Sequence, residues 1–406
     1  MENFNILALI IAMTVLSQGC EIVGIQSKNP ENRENVEIEP GTLAEILSEI
    51  PFGLEQMGEV YDAVSSSCSN GYDDEYMMRS LFLSPGSGVG DSGTKAGKEV
   101  KQYSKPFKEL FAEYFSSVKT KASGSSFSVE DYIKALSSSD MQIYWPYYED
   151  WDKSQLPLIT FDPADGSTKN IGYRIKTDSQ GKRVVEEVIV DEEMAKTCPV
   201  WVINRNDDSG YTSLELLRRQ DPGWGSGGGD IIIGKKASRS PEPKGASSFK
   251  TLILKNFTMH RNYDPWFAGA SEFFVKCGSV EDFTASTEAE LALYNPSITD
   301  FMIVVKRNQV GKPRLFNAVL VSQWTEQLES CAFMIIEDDG GTRTSWKCEA
   351  STKIKSRTYG FDINIPFNSK DDIVWRGQLS GKYFEKYNGE TGNFGDVSLT
   401  FSLVSH

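Results

Sequence analysis

Cys331-Ala-Phe-Met-Ile-Ile-Glu-Asp-Asp-Gly-Gly-Thr-Arg-Thr-Ser-Trp346-Lys-Cys348 reads as two extended runs around a turn. Asp339-Gly340 is the strongest short hairpin signal, because a tight turn between twisted strands needs a positive φ that glycine supplies. With a two-residue turn there, partner numbers sum to 679 and Cys331 lies directly opposite Cys348. Alternation makes this a non-hydrogen-bonded pair with Cα atoms about 4.5 Å apart, inside the roughly 4.4 to 6.8 Å that a disulfide accepts. Phe333, Ile335 and Trp346 share the face, so a Cys331–Cys348 bridge is expected to pack in a core. Two independent buried thiols are the alternative, and a four-residue loop would shift the phase of pairing.

Short apolar runs broken by Gly, Pro, Asn and Asp continue on both sides of this hairpin. Thr251–Met259, Glu272–Lys276, Ala289–Tyr294, Phe301–Lys306, Leu315–Val321, Tyr359–Ile365, Ile373–Trp375 and Val397–Leu403 read as further strands. No helical pattern intervenes to make parallel crossovers, so residues 250–406 are expected to form an antiparallel β-sandwich. Residues 237–249, with Pro241, Pro243 and several serines, read as a linker. Residues 141–236 read as a β-rich middle domain, with strands at Met141–Trp145, Leu156–Phe161, Ile171–Lys176, Arg183–Val190, Pro199–Ile203 and Ile231–Ile233.

Over residues 41–140 the apolar period is helical. Leu43, Ile46, Leu47, Ile50, Leu54, Met57, Val60 and Val64 form a stripe that Pro51 should split. Phe107, Leu110, Phe111, Tyr114, Phe115 and Val118 form a second, and Ser128 with Asp131 has the spacing of a capping box opening a third helix. The expected class is therefore α+β: a helical N-terminal segment followed by mainly antiparallel β domains, the last a β-sandwich.

The beginning of the chain points outward from the cell. Residues 6–16 are apolar except Thr14, a run short of the roughly 20 residues of a membrane span but suited to the about 7 to 15 of a secretory signal. Ser17-Gln-Gly-Cys20 follows and resembles the lipobox of bacterial lipoproteins, which implies cleavage after residue 19 and lipid on Cys20. Two departures keep an ordinary signal peptide open as the alternative: Leu16 stands four places before the cysteine, and Met1 to Asn5 carry no Lys or Arg. Residues 20–40, with Pro30, Pro40, four glutamates after residue 30 and no aromatics, read as a polar tether. The expected location is the outer membrane or cell surface, lipid-anchored, or otherwise secreted or periplasmic.

Met141-Gln-Ile-Tyr-Trp-Pro, Trp151-Asp, Leu156-Pro-Leu-Ile-Thr-Phe-Asp-Pro and Pro199-Val-Trp-Val-Ile-Asn resemble uncharacterised secreted lipoprotein families common in the Bacteroidota. Asn262-Tyr-Asp-Pro-Trp-Phe-Ala-Gly-Ala-Ser-Glu272 followed by Phe273-Phe-Val-Lys is similar to their C-terminal C2-like sandwiches. The resemblance spans about two thirds of the chain. It implies an address and a fold, with no activity attached.

Composition narrows the classes further. Apolar residues make up 39% of the 406, enough to bury a core. A formal charge of -15 without a Lys/Arg-rich stripe repels phosphate backbones, so nucleic acid is not expected as a partner. Cys68, Cys198, Cys277, Cys331 and Cys348 show no zinc spacing, which suits an oxidising compartment. The pairing of the first three is open. Only His260 and His406 are histidines, and HExxH and GxSxG are absent, so the common metalloprotease and serine-hydrolase signatures fail.

A few constellations remain as ligand candidates. Asn204-Arg-Asn206-Asp207-Asp208-Ser-Gly210 sets oxygen side chains at Asn204, Asn206 and Asp208 before a turn glycine, as Ca²⁺ prefers, although Asx turns explain the same residues. Asp264 and Asp338-Asp339 are similar in kind to acidic calcium loops of C2 domains. Trp224, among glycines, is a candidate to stack on a sugar or peptide ring, and Tyr144 to Trp151 is an aromatic cluster that strand packing also accounts for. Nothing singles out two carboxylates among the 57 acidic residues. The reading is an exported, lipid-anchored protein of binding or accessory type that takes a glycan or protein ligand, with a carboxylate-dependent hydrolase of peptides or glycans as the alternative. An enzyme should show a cleft with converging acids, a binding module an exposed aromatic patch or a sheet edge, and an assembly subunit a large apolar interface.

Overall fold

The computed structural model describes residues 38–82, 103–119, 129–206, 213, 215–216 and 248–406. Its first unit begins with α1 (Pro40–Glu49) and α2 (Leu54–Ser69), separated at Pro51 as the missing N–H and ring of proline require. The Gly53 N–H, at the start of α2, donates to Gln56 Oε1 at 2.9 Å. Three more helices follow, α3 (Met78–Phe82), α4 (Phe107–Lys119) and α5 (Val129–Ser137). The strands are β1 (Glu75–Met77), β2 (Met141–Tyr144), β3 (Leu158–Phe161), β4 (Lys169–Thr177), β5 (Arg183–Asp191) and β6 (Val200–Arg205), with one helical turn, α6 (Glu192–Ala195), between β5 and β6. They form one sheet in the order β1-β2-β6-β3-β4-β5, antiparallel except for the β3/β6 pair.

Alternation along these strands explains how the sheet is covered. Met141, Ile143, Trp145, Ile159, Trp201 and Ile203 point to the helices and share a core with Leu43, Leu47, Val60, Phe107 and Phe111. Tyr144, Leu158, Val200 and Val202 point the other way. Helices and strands therefore share one core, and the break expected at Met141 is not a packing boundary. The helical pattern and the strand pattern are two layers of one unit, each needing the other to bury its apolar face.

The second unit is the β-sandwich. Its strands are β7 (Phe249–Met259), β8 (Ser271–Ser279), β9 (Ser297–Val305), β10 (Arg314–Thr325), β11 (Leu328–Glu337), β12 (Arg343–Ile354), β13 (Arg357–Asn368), β14 (Asp372–Ser380), β15 (Thr391–Phe394) and β16 (Val397–Ser405), with α7 (Gly381–Lys386) after β14. One sheet runs β10-β7-β16-β15 and the other β13-β12-β11-β8-β9, with β14 also on β11. The two sheets share one core containing Phe257, Phe273, Phe333, Ile335, Leu399 and Phe401. The class is α+β with mostly antiparallel strands.

Two expectations fail here for identifiable reasons. Ala289–Tyr294 is not a strand, and Glu288–Leu293 is a 3-10 helix. Glu290 closes that turn by accepting from the Ser286 N–H at 2.9 Å and the Thr287 hydroxyl at 3.1 Å, a local device that outweighs alternation at Ala289, Leu291 and Leu293. The hairpin expected at Asp339-Gly340 turns, with φ of 68° at Gly340 and 102° at Gly341, but it does not zip up. β11 meets β12 only around Leu328/Thr352 and Ser330/Ser351. Beyond that, Cys331 lies opposite Leu379 of β14 and Cys348 opposite Ile363 of β13. Both cysteines are free thiols, so the expected Cys331–Cys348 bridge is not formed. The cause lies in the run itself: Cys331 to Ile336 is buried throughout, and such a continuous apolar strand belongs at the centre of a sheet. It has β8 on one edge and β14 on the other. Asp338 and Asp371 reinforce this by binding Asn368, which ties the turn to the β13–β14 loop.

Candidate metal centre

The loop between β7 and β8 joins the two units. Trp266 and Phe267 leave the sandwich and pack on the second face of the first sheet with Tyr144, Leu158, Val200 and Val202. The Trp266 indole N–H donates to Thr168 O at 2.9 Å. The Asn204 amide donates to the carbonyls of Phe267, at 3.1 Å, and Ala268. Asp73, just before β1, accepts from the Ala270 N–H at 3.0 Å through Oδ2. Gly269 fits there because its φ is +144° and a Cβ would stand 2.8 Å from that same oxygen.

Charged groups from the sandwich complete the seam. The Arg307 guanidinium reaches Glu192 Oε1 at 2.8 Å and Asp264 O at 3.0 Å. Lys306 is ion-paired with Asp74 at 2.6 Å and Glu149 at 3.2 Å, and it also meets the Cys68 thiol. Burial and then the neighbouring Asp74 push the Cys68 thiol far up, so it is a neutral hydrogen-bonding group and not an activated nucleophile. Burial also pushes the Asp73 carboxyl up, to about 8, with Asp74 adding to the shift.

Beside this seam three carboxylates converge. Asp264 comes from the β7–β8 loop, Glu272 from the start of β8 and Glu337 from the end of β11, with one oxygen of each within 4.8 Å of the others. Register places them: Glu337 pairs with Phe273, and the Asp338 N–H donates to Glu272 O at 2.9 Å. Glu337 has no exposed surface and Glu272 retains 6%. Burial pushes the Glu337 carboxyl up to about 12, aided by Asp264 and then Asp339 and Asp372. The Asp264 carboxyl is raised by burial too, while Glu337, Arg307 and Ser271 pull it back. The field reaches further: burial and then Asp264 raise both Asp339 and Asp162 to about 6. A contact between two carboxyl groups is a hydrogen bond only when one holds a proton, so this site is built to take a proton or a hard cation.

The sequence-derived candidates fall elsewhere. Asn204 and Asn206 do not converge on a common point, since Asn204 binds the 267–268 carbonyls and Asn206 donates to Glu75 Oε2 at 2.7 Å and Gln142 Oε1 at 2.9 Å. Cys20, Asp208 and Trp224 lie outside the described residues. Tyr144, Trp145, Tyr148 and Trp151 are buried in the first unit. Asp264 was legible as an acidic loop residue, whereas Glu272 was hidden as a single acid at the start of an apolar strand and Glu337 as the strand-end neighbour of the Asp338-Asp339 turn acids. A surface hollow of about 330 Å³ lies on the β12–β13 ribbon around Lys347, Glu349 and Asp362, away from this cluster. No helix among the described residues is long and apolar enough to cross a membrane. No family model, curated protein or solved structure matches the chain.

Proposed function

We propose that this chain is an exported, lipid-anchored binding protein of accessory type, held to the outer membrane or cell surface through Cys20, which takes up an extended protein segment along β5. The supporting observation is the open edge of the first sheet. Among the described residues β5 pairs only with β4. Its outer edge meets no second strand among the described residues over Arg183–Asp191, with Val184 42% and Ile189 60% exposed, and Ile171 directly opposite Ile189 is exposed too. An unpaired strand edge lined by exposed apolar side chains is the template that strand addition uses.

The hydrolase reading has the converging Asp264 and Glu337 in its favour. Their enclosure argues against it, because a catalytic acid must touch substrate and Glu337 has no exposed surface. Photo-crosslinking in intact cells tests the binding reading. A crosslinker at position 189 is expected to trap a protein partner, while one at Lys355, on the exposed turn between β12 and β13, is not. Equal trapping at both positions, or none at 189, overturns it. Palmitate labelling of wild type and Cys20→Ala tests the anchor, which equal labelling would sink.

A further inference from the structure

The acidic cluster beside the seam contains an anomaly that packing alone does not account for. Among the described residues no N–H or hydroxyl donates to either carboxylate oxygen of Glu337 or to Asp264 Oδ2, and the contact between these two carboxyl groups needs a proton or a cation to hold it. Glu337 is also completely enclosed. A buried carboxylate without donors is among the most unfavourable groups a core can hold, and such groups are paired with a cation or neutralised. Arg307 does not fill this role: its side chain is bound to Glu192 and to the main-chain oxygen of Asp264.

We infer that Asp264, Glu272 and Glu337 form a Ca²⁺ site that fastens the β7–β8 loop and, through it, the seam between the two units. The donor set is all carboxylate, which selects a hard cation over zinc, whose sites are built mostly from nitrogen and sulfur. Each of the three carboxylates turns one oxygen to a common point, within 4.8 Å of the other two, a start on the roughly 6 to 8 oxygens that calcium gathers in flexible geometry. Magnesium keeps several waters and demands an octahedron, which the enclosure of Glu337 leaves little room for. An ion of charge +2 on three carboxylates leaves one negative charge, with the Arg307 guanidinium bound to the same loop. The ligand Asp264 stands two residues before Trp266, which is 3% exposed in the first unit's packing. An ion at Asp264 therefore restrains the segment that enters that packing. This inference does not depend on the edge-strand reading, and its failure would leave that reading untouched.

Calorimetric titration of CaCl₂ into the chelator-treated full chain, repeated with Glu337→Gln, Asp264→Asn and Asp208→Asn, tests the site. Wild type is expected to bind one ion with Kd on the order of 10⁻⁴ M, as extracellular calcium modules do. Glu337→Gln and Asp264→Asn should weaken binding at least about tenfold, and Asp208→Asn should not. Glu337→Gln replaces an acid with a neutral amide of similar shape, so its calcium-free melting temperature should equal or exceed that of wild type. That separates a lost ligand from a lost fold. Calcium should also slow amide exchange over residues 262–270 in wild type alone. Absence of binding at about 10 mM calcium, unchanged affinity in Glu337→Gln, or tighter binding of Mg²⁺ than of Ca²⁺ overturns the site. Binding without slowed exchange at 262–270 overturns its fastening role.

Discussion

The two faces of the first sheet are made by the same strands and held by different physics. Toward the helices, Trp201 stacks on Phe52 with ring centroids 5.1 Å apart and lies near Phe107 and Trp145, in a layer of aromatic and aliphatic side chains. Toward the sandwich, Trp266 and Phe267 supply a small apolar patch, and around it stand Asp73, Asp74, Lys306, Arg307 and Glu192. Apolar burial is insensitive to pH and ions, whereas buried charges are stable only while their partners and protons stay in place. The helix face should therefore set whether the unit folds, and the other face should set the conditions under which the two units stay joined.

Removing the centre of the helix face is the largest effect expected. Trp201→Ala deletes the ring that contacts three aromatic neighbours and should lower stability by about 3 to 5 kcal/mol, read from urea unfolding. A loss under about 1 kcal/mol would mean that this face is not the dominant core.

The seam should respond to single and paired changes differently. Lys306→Met leaves Asp74, 5% exposed at its side chain, without its ion partner, and should destabilise by about 2 to 4 kcal/mol. Adding Asp74→Leu should recover most of that, because removing both charges removes the desolvation penalty along with the attraction. Additive losses in the double variant would show that the pair is not coupled.

Much of the fold could be read in advance because the helix face depends on periodicity alone: Leu43, Leu47, Phe107 and Phe111 lie where a period of 3.6 puts them. The seam could not. Lys306 and Asp74 are 232 residues apart, and nothing local at either marks a partner. Glu337 shows why the candidate site was half visible. Glu337, first of three acids after Met334-Ile335-Ile336, looks like part of the solvated turn with Asp338-Asp339 until the register sets it beside Glu272 and Asp264.

Asp73 gives the seam a pH dependence that the helix face lacks. Its carboxyl is raised by burial from 3.8 to about 8, so between those values the folded chain holds a proton that the unfolded chain has released. Stability from this group is fully present below about pH 4 and is lost as pH rises through about 8. Asp73→Asn keeps an oxygen for the Ala270 N–H and cannot titrate. Wild type should lose about 4 kcal/mol relative to this variant between pH 5 and pH 9, measured by unfolding at both. Parallel pH curves would remove Asp73 as the cause.

The smallest effect tests the register that replaced the expected hairpin. If Cys331 faced Cys348 in a bridge, Cys348→Ser would cost about 2 to 4 kcal/mol under non-reducing conditions. With Cys348 opposite Ile363 and half-buried, its thiol only approaches a main-chain oxygen at 3.5 Å. A hydroxyl fills that role, and the change should stay within about 0.5 kcal/mol. Peptide mapping without reductant should likewise recover no fragment joining residues 331 and 348. Finding one would mean that β12 closes on β11 and displaces β14. The Asp338–Asn368 and Asp371–Asn368 contacts would then be lost with it, so this substitution reports on the sandwich register and leaves both faces of the first sheet unchanged.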